Sequence, residues 1–261
     1  MTMCMRDARL WLAPLTCSVV ASGGTAPLHA EEFTSNGVKI HYVVKGQGEP
    51  VILVHGLYSS ARLNWEMPRI IAELAKHYQV IAFDNRGHGQ SDKPEAEDQY
   101  GVQMVEDVVR LMDHLHIQKA HVVGYSLGGM ITLKLLTIHP ERVSSAVLGG
   151  MGWLRADSPL QHFWEEIKGR RNAKVPAACV CGIAKLAVTE DEIKAVRVPV
   201  TIIVGERDPF RRLYVEPLLR VRPDWPKRVI QGAGHINCVM KPDFKTQLEA
   251  ALDQTLLKRV P

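Results

Sequence analysis

Along most of the chain, short apolar runs alternate with stretches of helical spacing. VKIHYVVKG (38–46) alternates apolar and polar positions and ends at a glycine turn, the pattern of a half-buried strand. PVILVHG (50–56), QVIAFDNRGHG (79–89), AHVVGYS (120–126), SSAVLGG (144–150), VPVTIIVGE (198–206) and KRVIQGAG (227–234) carry apolar runs and lead into glycines. A strand covered on both faces reads this way. Helical spacing predicts helices over 67–78, with Pro68 in the first turn, and over 102–115. LGGMITLKLLTIH (127–139) predicts another, stopped by Pro140, and further helices follow over 215–222 and 244–260.

Strands that alternate with helices imply an α/β fold, a mostly parallel sheet with helices on both faces. Residues 151–197 break the rhythm with Trp153, Trp164, several prolines and many charges, but no buried run. A short helical cap inserted over one edge of the sheet is the expectation. The core would then comprise residues 31–150 and 198–261, with 151–197 as the lid and 1–30 as a leader.

Composition adds bounds. The chain has 261 residues, 46% hydrophobic and 23% charged, with a net charge of +4. That suits a folded domain with a sizeable core and is too mild to imply a nucleic-acid partner. Lys168, Arg170, Arg171 and Lys174 form the densest basic stretch, expected to be a solvated face. The leader has Arg6 and Arg9, an apolar stretch from about Leu10 to Ala21, then small residues up to Ala30. This is the layout of a secretory signal peptide cut after Ala30, although Leu28 stands where a small residue is preferred. The apolar stretch is too short, and too interrupted by Pro14 and Ser18, to span a membrane. A secreted or periplasmic protein is expected, or a cytoplasmic one if the leader is not used. Cys179, Cys181 and Cys238 lie beyond the leader and are expected to be free thiols. No His, Cys, Asp or Glu cluster has metal-ligand spacing, so neither metal nor cofactor is expected.

The chemistry concentrates at Gly124-Tyr125-Ser126-Leu127-Gly128, a G-x-S-x-G sequence between a strand and a helix. A tight turn there lifts the serine hydroxyl above the sheet, and the close backbone approach on both sides admits only glycine. A serine nucleophile needs a base, an acid to orient the base, and donors for an oxyanion. His235, in GAGHINC, is the candidate base, and Asp208, in GERDPF, the candidate acid, with Glu206 as a weaker rival. The amides of Leu57, after His55-Gly56, and of Leu127 are the candidate oxyanion donors. His55 and His88 are read as braces for their loops.

These stretches, VILVHGLY, FDNRGHGQSDKP, GYSLGG, the Asp208 loop and GAGH, resemble the α/β-hydrolase family over about residues 33–257. The resemblance implies Ser126 as nucleophile, Asp208 as acid, His235 as base, and Leu57 and Leu127 at the oxyanion hole. It implies hydrolysis of small-molecule carboxylic esters of small to medium acyl chain through an acyl-enzyme. Trp153, Phe163 and Trp164 are candidate substrate contacts in the lid. Lactonase, carbon–carbon bond hydrolase and perhydrolase activities stay open beside it, as does a receptor-like homologue with slow turnover.

Overall fold

The structure, a computed structural model, describes residues 29–166 and 175–257. The leader before His29 and the basic stretch 168–174 lie outside the described residues. Eight strands form one sheet: β1 (His29–Ser35), β2 (Val38–Lys45), β3 (Glu49–Val54), β4 (Tyr78–Phe83), β5 (Ala120–Tyr125), β6 (Val143–Gly149), β7 (Val200–Gly205) and β8 (Lys227–Ile230). Their order is β1-β2-β4-β3-β5-β6-β7-β8. The six strands from β4 to β8 in that order run parallel, and β2 joins them antiparallel. This is the mostly parallel sheet that the family resemblance implies.

Side chains of β3 alternate between the two faces, because successive Cβ atoms of a strand point oppositely. Ile52 and Val54 enter one apolar layer, with Val108 and Met112 of α2 (Val102–His114) and Leu133 and Leu136 of α3 (Leu127–Ile138). Val51 and Leu53 enter the other, with Ile71 and Leu74 of α1 (Ile70–Leu74) and Phe244 and Leu248 of α8 (Pro242–Leu257). Both faces of the central strands are thus covered, which is why their sequences are unbroken apolar runs. Among the described residues no helix is long and apolar enough to cross a membrane.

Two expectations about elements change. The strand β1 is additional; it pairs antiparallel with β2 through the tight turn Asn36-Gly37, where φ is 47° and 79°. The expected cut after Ala30 falls within this strand, where Ala30 faces Val43. The helix predicted over 67–78 shrinks to Ile70–Leu74, because Arg69 adopts a left-handed φ of 64° and Tyr78 already belongs to β4. The strand expected at the start of 79–89 ends at Phe83, and the glycine-containing loop expected after it is tied down by side chains.

Between β6 and β7 the described residues form the short helices α4 (Pro159–Glu166), α5 (Ala177–Gly182) and α6 (Glu190–Ala195). The last starts with a capping box, in which the Thr189 hydroxyl accepts from the Glu192 amide and Glu192 accepts from the Thr189 amide. A seventh helix, α7 (Glu216–Val221), follows β7.

The loop after β4 is anchored by Arg86, whose side chain is fully buried. Its Nε donates to Asp107 Oδ2 at 2.7 Å and its Nη2 to Asp107 Oδ1 at 2.6 Å. Nη1 donates to the Gln99 carbonyl at 2.8 Å, and the Ser35 hydroxyl donates to Asp107. One buried ion pair therefore joins the β1–β2 turn, the loop after β4 and α2. Removing one partner leaves the other charge buried and unpaired. Asp107→Ala is expected to lower folding stability by about 3–5 kcal/mol, measured by urea unfolding; a loss below about 1 kcal/mol would show that this anchor carries no weight.

Candidate active site

At the end of β5 the backbone turns so sharply that Ser126 takes φ 55° and ψ −117°. A side chain rarely adopts this conformation, and the surroundings must hold it there. They do so by close backbone contact. A Cβ at Gly124 would sit 2.1 Å from the Gly128 carbonyl oxygen, and one at Gly128 would sit 2.0 Å from the Val54 carbonyl oxygen. The Ser126 amide donates to the Gly149 carbonyl at 2.8 Å, fixing the turn to β6. Leu127 is the first residue of α3, so its amide has no intrahelical acceptor.

The loops after β7 and β8 converge on this turn. Ser126 Oγ lies 2.9 Å from His235 Nε2, and His235 Nδ1 lies 2.8 Å from Asp208 Oδ2. With a proton on Nδ1 donated to Asp208, Nε2 is left to accept the serine hydroxyl. Asp208 is buried, and its Oδ1 accepts the Phe210 amide at 2.9 Å. The Tyr125 hydroxyl donates to the His235 carbonyl at 2.5 Å, and the Phe210 ring stands edge-on to the imidazole at 4.6 Å. Glu206 points elsewhere: its Oε2 accepts the Gly232 amide at 2.8 Å. Of the two acidic candidates, Asp208 is the one the fold brings to His235.

The loop after β3 closes the site from the other side. A Cβ at Gly56 would lie 3.1 Å from Ser126 Cβ, so the Gly56–Leu57 backbone passes directly over the serine. The Gly56 amide donates to Asn64 Oδ1 at 3.1 Å, and the Ala61 amide donates to Asp84 at 2.8 Å. His55 lies below this loop. Its Nε2 accepts the Asn85 amide at 3.0 Å, so its Nδ1 carries the proton and donates to the Gly56 carbonyl at 2.8 Å. Burial lowers its pKa from 6.5 to about 4. His88 packs edge-on against it at 5.2 Å and is lowered to about 3, first by burial and then by the neighbouring His55. Both histidines are neutral braces, with no contact to the serine.

Above Ser126 and His235 opens a cavity of about 1260 Å³. Leu57, Leu127, Met130, Met151, Leu160 and Ile183 are among its apolar walls, and Met151 Sδ lies 3.3 Å from Ser126 Oγ. Phe163 and Trp164 line it, and the Trp164 indole donates to the Tyr214 hydroxyl at 3.0 Å. Trp153 does not. Its ring is buried, its Nε1 donates to the Val188 carbonyl at 2.8 Å, and it is not among the residues that line the cavity. Among the described lining residues there is no Lys, Arg, Asp or Glu. Cys179 and Cys238 are free thiols, and burial raises Cys238 to about 11. Residues of the site that lacked a sequence reading include Asn64, Met151, Phe210 and the hydroxyl of Tyr125. Tyr125 carried a signal, its place inside the G-x-S-x-G turn.

Comparison with known proteins agrees with this fold. A family model described as alpha/beta hydrolase fold matches residues 49–179. A 2-hydroxymuconate semialdehyde hydrolase of Pseudomonas sp. is 30% identical over 200 residues, covering 75% of this chain and 69% of that protein. A protein of Azorhizobium caulinodans, provisionally named a carbamate hydrolase, is 35% identical over 141 residues. That match covers 54% of this chain and spans about half, 51%, of the relative's length. Among solved structures, a carboxylesterase of Nitrososphaera gargenis superposes with a TM-score of 0.70 at 20% identity, covering 90% of this chain and 100% of that one. At that identity the likeness is one of fold.

The buried neutral state of His55 has a consequence for stability. In the unfolded chain His55 takes up a proton near its ordinary value of 6.5, whereas in the fold it resists down to about 4. The unfolded state therefore binds more protons in that window, and stability falls as the pH drops through it. This group alone is expected to cost about 2 kcal/mol between pH 7.5 and pH 5, measured by urea unfolding at the two values. A stability that is flat or rises toward pH 5 would contradict a neutral His55.

Proposed function

The chain belongs to the alpha/beta hydrolase fold family, and from that premise we propose that it is a serine hydrolase of uncharged carboxylic esters, acting through an acyl-enzyme. The observation that carries this reading is the continuous hydrogen-bonded line Ser126–His235–Asp208 at the floor of an apolar cavity. His235 Nε2 takes the hydroxyl proton as Ser126 Oγ attacks the ester carbonyl carbon. The carbonyl π electrons move onto oxygen, where the amides of Leu57 and Leu127 receive the negative charge. The tetrahedral species then collapses, the bond to the alkoxy oxygen breaks, and His235 returns its proton to the leaving alcohol. Water repeats the sequence on the acyl-enzyme, releasing the acid and restoring Ser126. Asp208 holds the imidazole in the required tautomer throughout.

The chemistry of the walls narrows the substrate. A muconate semialdehyde carries a carboxylate, and a site for it calls for a buried cation or a set of donors. The described lining of this cavity offers no Lys or Arg. That favours a neutral ester over the semialdehyde named for the Pseudomonas relative. At about 1260 Å³ the cavity has room beyond small acyl groups, so medium chains are well within its reach. Phe163 and Trp164 would contact the acyl or alcohol portion. Export through the leader over residues 1–30 belongs to the same proposal; a mature protein beginning at Glu31 by mass spectrometry supports it, and an intact leader on exported protein opposes it.

Nitrophenyl esters of increasing chain length, compared with lactones and with a ring-fission dienoate, test the reaction class. Turnover of neutral esters with little of the dienoate is expected, and the reverse preference would overturn the reading. Ser126→Ala is expected to lower kcat by roughly ten-thousand-fold or more. Asp208→Asn should lower it by on the order of a thousandfold while Glu206→Gln changes it little. A larger effect at Glu206 would move the orienting role away from Asp208.

A further inference from the structure

Among the described residues, the large apolar side chains that remain exposed are confined to one place. Tyr58, Leu63 and Met67 from the segment after β3, Phe163 from α4, and Leu213 after β7 all border the mouth of the cavity. Ile236 and Met240, in the loop after β8, complete the ring, with Ile236 85% exposed immediately after His235. Singly scattered exposed apolar residues are ordinary, but a contiguous apolar patch marks a contact surface. This ring is drawn from separate segments of the chain, so it is not the by-product of one amphipathic element.

Charge is arranged around it. Arg62, Arg212 and Lys241 directly adjoin Leu63, Leu213 and Met240 in sequence. Among the described residues none of the three has a carboxylate within ion-pair distance. Glu66, beside Met67, is the one carboxylate adjoining a rim residue in sequence. A second copy of the chain docked face to face would bring these cations against each other across the two-fold. An anionic amphiphile surface would pair them with headgroups while the rim side chains enter the acyl layer.

We infer that the cavity mouth is a docking face for an anionic lipid–water interface, from which the enzyme draws its ester. The inference deepens the esterase reading and rests on it for the reaction, but the docking itself is independent of turnover. The rim places the layer's acyl chains at the opening above Ser126, so an amphiphilic ester passes from assembly to cavity without crossing water.

Co-sedimentation of the full chain carrying Ser126→Ala with vesicles tests this. Binding to vesicles of phosphatidylglycerol and phosphatidylcholine is expected, with much weaker binding to phosphatidylcholine alone. Combined Arg62→Glu, Arg212→Glu and Lys241→Glu should weaken binding by about tenfold or more, and the same changes in the active enzyme should leave cleavage of a soluble nitrophenyl ester unchanged. Ile236→Asp should also weaken binding, with its melting temperature showing that the fold is intact. Equal binding to both vesicle types, no binding, or full binding by the charge-reversed protein would overturn the inference. So would a dimer in sedimentation that buries Ile236, or a soluble protein partner that displaces the vesicles at this face. If the enzyme cleaves no soluble ester yet binds anionic vesicles, the esterase reading fails and the docking face stands.

Discussion

The site depends on one strained residue. Ser126 is held at φ 55° and ψ −117° because three backbone segments are packed to van der Waals contact around it. Gly128 lies against the Val54 carbonyl, Gly124 against the Gly128 carbonyl, and the Ser126 amide is fixed to Gly149. The strain is local, and β3, β5 and β6 together hold it in place. From it follow the position of Oγ above the sheet, the first amide of α3 with no intrahelical acceptor, and the direction from which His235 meets the hydroxyl. A methyl group at Gly124 would push α3 away from β5, and one at Gly128 would push α3 away from the end of β3.

A second set of buried polar groups serves the opposite wall. Arg86 and Asp107 anchor the loop after β4, while Asp84, in the same loop, receives the Ala61 amide. Neutral His55 joins the Asn85 amide to the Gly56 carbonyl, and Asn64 holds the Gly56 amide. The Gly56–Leu57 segment is thereby positioned by buried side chains, of which Asn64 also lines the cavity. A neutral histidine can accept at one ring nitrogen and donate at the other, and a bidentate arginine meets both carboxylate oxygens, so these two groups can bridge separate loops.

What the sequence revealed, and what it hid, divides along physical lines. Strands covered on both faces are unbroken apolar runs, so β3 to β7 were legible. The elbow was legible because its steric demand leaves glycines at fixed spacing, and Asp208 and His235 because each follows a strand in a loop. The strand β1 was missed although Asn36-Gly37 is a strong hairpin signal. The first helix was overextended because nothing in MPRIIAELAKHY announces that Arg69 turns left-handed. Trp153 was placed at the cavity and is instead bonded to Val188, since an irregular segment has no periodicity from which to read a side chain's direction. The gathering of exposed apolar residues around one opening was beyond sequence reading, because it joins loops far apart in the chain.

The central claim is that Ser126 is a nucleophile that becomes acylated. Treatment with a fluorophosphonate, followed by intact-mass and peptide mass spectrometry, tests it most directly, because the probe phosphonylates only an activated serine. The account predicts a single adduct on the peptide carrying Ser126, and none in the Ser126→Ala protein. An unmodified Ser126 in folded protein, or an adduct on another residue that persists in Ser126→Ala, would contradict it.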